Sequence, residues 1–128
     1  MEQSEKIKRG EELMRKMAGD AYVKSREERA RLFPEMNDFI LGTVYGEIWQ
    51  RPALDKRSRS LCMVAIALGM PEAQQNLRLH IRGALENGIS KEEILEIIMH
   101  VGLYVGYPKV VASMNTVIEV FKEVGLFS

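Results

Sequence analysis

The sequence holds a single cysteine, Cys62. One thiol excludes an internal disulfide and a Cys-x2-Cys redox pair. Histidine is nearly as scarce: His80 and His100 stand apart, with no His-x3-His or Cys-x2-Cys spacing around them. That is a poor basis for a metal site, and no metal is expected. Neither charge sign is in excess, since 18 Lys plus Arg face 18 Asp plus Glu. A chain without a net field does not attract polyanions or anionic lipid surfaces, so neither nucleic acid nor a membrane is an expected partner. Long apolar runs are missing too, none approaching the roughly 20 residues that span a bilayer. The opening MEQSEKIKRG is charged and lacks the apolar core of a signal peptide, which reads as a cytoplasmic protein.

What the sequence has in quantity is helical punctuation. Its 128 residues suit one domain, 1–128, with an adequate but modest core, so that subunits of an oligomer would usefully cover leftover apolar surface. From about Glu5 to Met17 mixed charge and few apolar positions predict a solvated first helix, broken at Gly19 and Asp20. Pro34 fits the first turn of a helix running on through Trp49 and ending before Arg51 and Pro52. Asp55 is a good N-cap for the next helix. Its stretch LCMVAIAL, Leu61 to Leu68, is apolar on every side, as in a helix buried all round, and Cys62 reads as a small core residue there.

Gly69 closes that helix, and Pro71 opens the one carrying His80, which Asn87 and Gly88 end. Ser90 with Glu93 forms a capping box for KEEILEIIMHVGLYV, which stops at Gly106 and Pro108. From Lys109 to Val124, Val110, Met114, Val117, Phe121 and Val124 recur at helical spacing before Gly125. No segment alternates with period two between hairpin turns, so the expected fold is an all-α, compact multi-helix bundle. The first and last helices are expected to offer amphipathic faces to a neighbouring subunit.

On their helix Leu77, Ile81, Ala84 and Leu85 form the apolar stripe, and His80 lies roughly 85° from its centre. Gly83, one turn on, strips bulk from the surface beside the imidazole. Two readings fit: a boundary histidine where another helix packs closely, or a functional group that something approaches. Glu96, His100 and Tyr104 line one edge of their helix, as a proton-relay edge or as a surface pair with a packed ring. Arg59, at the mouth of an apolar helix, needs a partner, either Asp55 one turn earlier or a ligand carboxylate.

The stretches GEIWQRP (46–52), RSL (59–61), LRLHIR (77–82), NGIS (87–90) and LYVGYP (103–108), with the closing EVFKEVGL, resemble the carboxymuconolactone decarboxylase family of aromatic catabolism in order and spacing. The resemblance covers essentially the whole chain. It implies the helical fold shared with alkylhydroperoxidase-D-like proteins and assembly into trimers or hexamers. It also implies a cofactor-free decarboxylation of 4-carboxymuconolactone to an enol-lactone on the beta-ketoadipate route. The peroxidase branch carries Cys-x2-Cys-x3-His where this chain has Ala73, Asn76 and His80, so thiol-based peroxide reduction is excluded. Asn76, Tyr45, Ala53 and Lys109 depart from the decarboxylase pattern.

For the implied reaction the unsaturated lactone is its own electron sink, and no cofactor is needed. The protein must hold carboxylates, stabilise an oxyanion and deliver a proton. Arg51 and Arg59 suit the carboxylates, and His80, with an ordinary pKa near 6.5, suits the proton. Glu47, Trp49, His100 and Tyr104 are candidates for orienting His80 or lining a substrate pocket. The alternative is a small-ligand-binding oligomer of the same fold without turnover.

Overall fold

The computed structural model describes residues 2–70 and 74–127. Every regular element among them is helical, as expected. In order they are α1 (Gln3–Ala18), α2 (Asp20–Ser25), α3 (Glu27–Leu32), α4 (Pro34–Phe39), a π-helical turn (Ile40–Tyr45), a 3-10 turn (Ile48–Gln50), α5 (Lys56–Gly69), α6 (Gln74–Glu86), α7 (Lys91–Val105) and α8 (Tyr107–Glu123). None of these helices is long and apolar enough to cross a membrane. Pro71 and Ala73 lie outside the described residues. The chain divides into two compact units, Met1–Lys56 and Arg57–Ser128.

In the first unit α1 packs on the π turn. Their backbones come so close that a Cβ on Gly10 would stand 1.7 Å from the Leu41 carbonyl oxygen, and one on Gly46 1.9 Å from that of Lys6. Glycine at both positions is therefore a packing requirement. The expectation of a solvated α1 is corrected, because Gly10, Leu13, Met14 and Met17 recur at helical spacing and are buried. Four positions suffice as a core face when the partner approaches this closely.

The single helix expected from Pro34 to Trp49 is interrupted. Pro34 opens α4 as foreseen, but the chain then widens into the π turn, where i→i+5 bonding lengthens the repeat beyond about four residues. Leu41 and Gly42, and then Tyr45 and Gly46, are all buried.

The second unit builds one core from α5 (Val64, Leu68), α6 (Leu77, Ile81), α7 (Ile94, Ile98) and α8 (Val117, Phe121). Its helix ends follow the sequence. Gly88 adopts φ 93°, and α6 closes with Ile89 N–H donating to the Ala84 carbonyl at 2.9 Å and Gly88 N–H to that of Leu85 at 3.2 Å. Ser90 and Glu93 form the capping box, each side chain bonded to the other's backbone N–H. Ser90→Ala is expected to lower stability by about 1 kcal/mol in a urea titration. Tyr107 rather than Lys109 starts α8, with Pro108 accommodated in its first turn.

One expectation about apolar faces fails. Helix α5 is buried only on the side of Ser60, Val64, Ala67 and Leu68, while Cys62 and Ile66, one turn apart, are exposed. An all-apolar run does not reveal that one stripe is left uncovered. The apolar face of α1 is used inside its own unit, whereas α8 buries Val110, Val117, Val120 and Phe121 and leaves Val111 and Met114 exposed. A further exposed apolar row lies on α7, where Leu95, Met99 and Leu103 follow at one-turn spacing with exposures of 39%, 60% and 68%.

Candidate active site

His80 is carried by α6 between Leu79 and Ile81, and only 6% of it is exposed. The sequence places it at the edge of the stripe, but α6 is covered over a wider arc that includes Leu79, His80 and Gly83. That burial pushes the imidazole pKa down to about 4. At neutral pH roughly one molecule in a thousand then carries the extra proton. The expectation of an ordinary imidazole pKa near 6.5 is thus corrected.

Nδ1 of His80 is buried without a hydrogen-bond partner. An unsatisfied buried polar atom costs about 1–3 kcal/mol, so such an atom calls for an explanation. Neutral imidazole has one N–H donor and one acceptor nitrogen. It can hydrogen-bond a developing oxyanion or take up a proton, in a setting of low dielectric that strengthens either interaction.

The other candidates of this unit differ. Arg59 is half-buried on α5, and both it and Asp55 are engaged by interactions within the chain. His100 and Tyr104 meet ring to ring, centroids 5.3 Å apart and tilted by 56°. They are exposed, Tyr104 to 79%, and Glu96 is exposed as well. The edge predicted from spacing therefore exists, and it faces solvent in the single chain.

In the first unit the 3-10 turn holds Glu47, Trp49 and Arg51 together. Trp49 is buried and stacks on Tyr45 at 5.8 Å, whose hydroxyl burial holds at a pKa of about 12. Gln50 anchors the turn by donating to the Tyr45 carbonyl at 3.1 Å. Glu47 is exposed and pairs with Lys6 at 3.1 Å, and exposed Arg51 is engaged within the chain.

Two contacts were beyond sequence reasoning. Asn87 donates through Nδ2 to Ser60 Oγ at 2.9 Å, and Ser60 is 1% exposed. Arg57 pairs with Oε2 of Glu93, whose Oε1 accepts the Ser90 N–H at 3.1 Å. These bonds, that to the Arg57 side chain foremost, hold the Glu93 carboxyl below its usual pKa. In the sequence Ser60 belongs to RSL and Asn87 to NGIS, and Glu93 to the capping box, but nothing there pairs them across the chain. Among the described residues no three His, Cys, Asp or Glu side chains gather as a metal site would require.

A family model described as the carboxymuconolactone decarboxylase family matches residues 34–119, from the start of α4 into α8. Over 127 residues the chain is 34% identical to the 4-carboxymuconolactone decarboxylase of Acinetobacter baylyi, covering 98% of this chain and 94% of that one. Over 106 residues it is 33% identical to a nitrosuccinic acid decarboxylase of Metarhizium robertsii, covering 82% and 73%. An uncharacterised 15.0 kDa protein of Paracoccus denitrificans matches at 29% over 94 residues, covering 73% and 70%. The chain belongs to the carboxymuconolactone decarboxylase family.

Proposed function

We propose that the chain is a cofactor-free carboxy-lyase that converts a small carboxylated, unsaturated lactone of the 4-carboxymuconolactone type to an enol-lactone and CO2 in aromatic catabolism. The observation that carries this reading is the similarity to the Acinetobacter enzyme along nearly the full length of both chains. The second decarboxylase is consistent with it in chemical terms. Nitrosuccinic acid, like the carboxymuconolactone, is a dicarboxylic acid that carries its own electron-withdrawing group, a nitro group in the one and a conjugated lactone carbonyl in the other.

Within this reading the bond to CO2 breaks with its electron pair passing into the unsaturated lactone. Neutral His80 donates a hydrogen bond to the oxygen on which charge develops, and a water molecule then gives carbon its proton, leaving hydroxide to the solvent. Arg59 holds a substrate carboxylate by charge-assisted bonds. Arg51, with Glu47 and Trp49 beside it, is the carboxylate-binding candidate of the first unit. His100 and Tyr104 are proposed as pocket-lining groups. Self-association into a trimer or hexamer would cover the α7 stripe, and light scattering at micromolar concentration checks it against the 14.6 kDa monomer.

The direct test is CO2 release from 4-carboxymuconolactone. Saturable binding with no release would support a binder of the same fold. Arg51→Ala and Arg59→Ala are each expected to weaken ligand binding in calorimetry by about tenfold to a hundredfold, the worth of a charge-assisted bond. Unchanged affinity in a folded Arg59→Ala protein would return Arg59 to a structural pair with Asp55.

A further inference from the structure

The two contacts invisible in sequence converge on one place. Ser60 is bonded to Asn87 at the end of α6, and Arg57 to Glu93 in the first turn of α7. Both tie the first turns of α5 to the short α6–α7 connection. Arg59 lies between the two tied positions. Ser60 is buried as deeply as core leucines, yet it carries a hydroxyl, which adds nothing to apolar burial and gains only through its directional bond to Asn87. Arg57 reaches a carboxylate already committed to the α7 capping box, so the helix it ties to is itself fixed at that end.

We propose that Ser60 and Asn87, backed by the Arg57–Glu93 pair, are positioning residues that fix the rotation and height of the first turns of α5 and so the direction in which Arg59 presents its guanidinium to a substrate carboxylate. The proposal rests on the reading of Arg59 as a carboxylate anchor. A long side chain on a helix free to turn samples many directions, and misplacing a binding group by about 1 Å costs heavily in a reaction that depends on orientation. Arg59 has interactions of its own within the chain, and the bond on either side of it steadies the backbone from which its side chain extends, where one bond alone would leave a pivot.

The first test needs no ligand. In the full-length protein, NMR relaxation of the Arg59 Nε–H is expected to show greater mobility in Asn87→Ala and Ser60→Ala than in the wild type. Asn87→Asp, whose carboxylate accepts the Ser60 hydroxyl proton, restores the order. Unchanged Arg59 order in a folded Asn87→Ala protein overturns the proposal. Should Ser60→Ala fail to fold, the half-buried Asn87 position carries the test.

The second test reads the consequence with 4-carboxymuconolactone as substrate. Asn87→Ala is expected to raise KM about fivefold to tenfold with kcat within about twofold, and to leave KM unchanged when Arg59 is already alanine. An equal rise in both backgrounds marks a purely structural pair and overturns the proposal. A KM that responds to Arg59→Ala but not to Asn87→Ala sinks the positioning role alone. If Arg59→Ala itself leaves KM unchanged, the anchor reading falls, and this inference with it.

Discussion

His80→Leu is expected to lose about 10²–10³ in turnover of the carboxymuconolactone and at the same time to gain stability. Leucine fills a space close to that of the imidazole but lacks the Nδ1 that the fold leaves buried and unpartnered. Removing that atom relieves a desolvation cost of about 1–3 kcal/mol. The loss of turnover is the usual cost of removing one preorganised donor to a developing oxyanion. His80→Gln retains an N–H donor and is expected to stay within about tenfold of wild type, which a titrating acid would not permit.

The pH dependence follows from the same burial. The folded imidazole titrates near pH 4, whereas an unfolded one titrates near 6.5. Between those values the unfolded chain binds more protons, so stability is fully present above about pH 6.5 and falls as the pH drops toward 4, by about 3 kcal/mol in all. Urea midpoints of wild type and His80→Leu should therefore diverge steadily across this window. The kcat profile should carry no limb near pH 6.5. A limb at that pH that vanishes in His80→Gln would instead identify a protonated imidazole as the acid and sink the hydrogen-bonding role.

Gly10→Ala is expected to destabilise the protein by at least about 3 kcal/mol, at the upper end of what added core bulk usually costs. The new methyl carbon would sit 1.7 Å from the Leu41 carbonyl oxygen, with the Leu41 carbonyl carbon at 2.6 Å and the Gly46 nitrogen at 2.9 Å. All three are backbone atoms, which cannot swing aside as a side chain does. Helix α1 must lift off the π turn, and Leu13, Met14 and Met17 lose their cover. By contrast, Gly88→Ala meets no atom within 4 Å, and there only the φ of 93° opposes the substitution. Thermal melts of the two variants separate a steric clash from a strained dihedral, the first giving the larger fall in Tm.

How much of this was legible depends on the distance over which each feature is decided. The Ser90–Glu93 box, the Pro34 start and the stops at Gly88, Gly106 and Gly125 are local bargains between a side chain or dihedral and the nearest backbone, and all were read correctly. The family motifs likewise located His80 on α6. What escaped depends on partners far along the chain. The α1 face is set by a π turn some 30 residues later, a widening that no residue type announces. The Asn87–Ser60 and Arg57–Glu93 bonds join positions 27 and 36 residues apart. The depth of His80 follows from what covers α6, and periodicity gives only the angle of a side chain around its helix. Cys62 shows the same gap from the other side, since apolar neighbours in sequence did not place it in the core.

The double use of the Glu93 carboxylate also bears on how the second unit opens. One side chain accepts the Ser90 amide at the start of α7 and holds Arg57 at the start of α5, so fraying at one end is coupled to the other. In native-state hydrogen exchange the amides bonded to the first-turn carbonyls of these two helices should therefore behave as one cooperative unit, exchanging with a common opening free energy and a common sensitivity to acid. Glu93→Gln, which can still reach the Ser90 amide but offers Arg57 no charge, should divide that unit in two, with α5 amides exchanging first while those of α7 keep their protection.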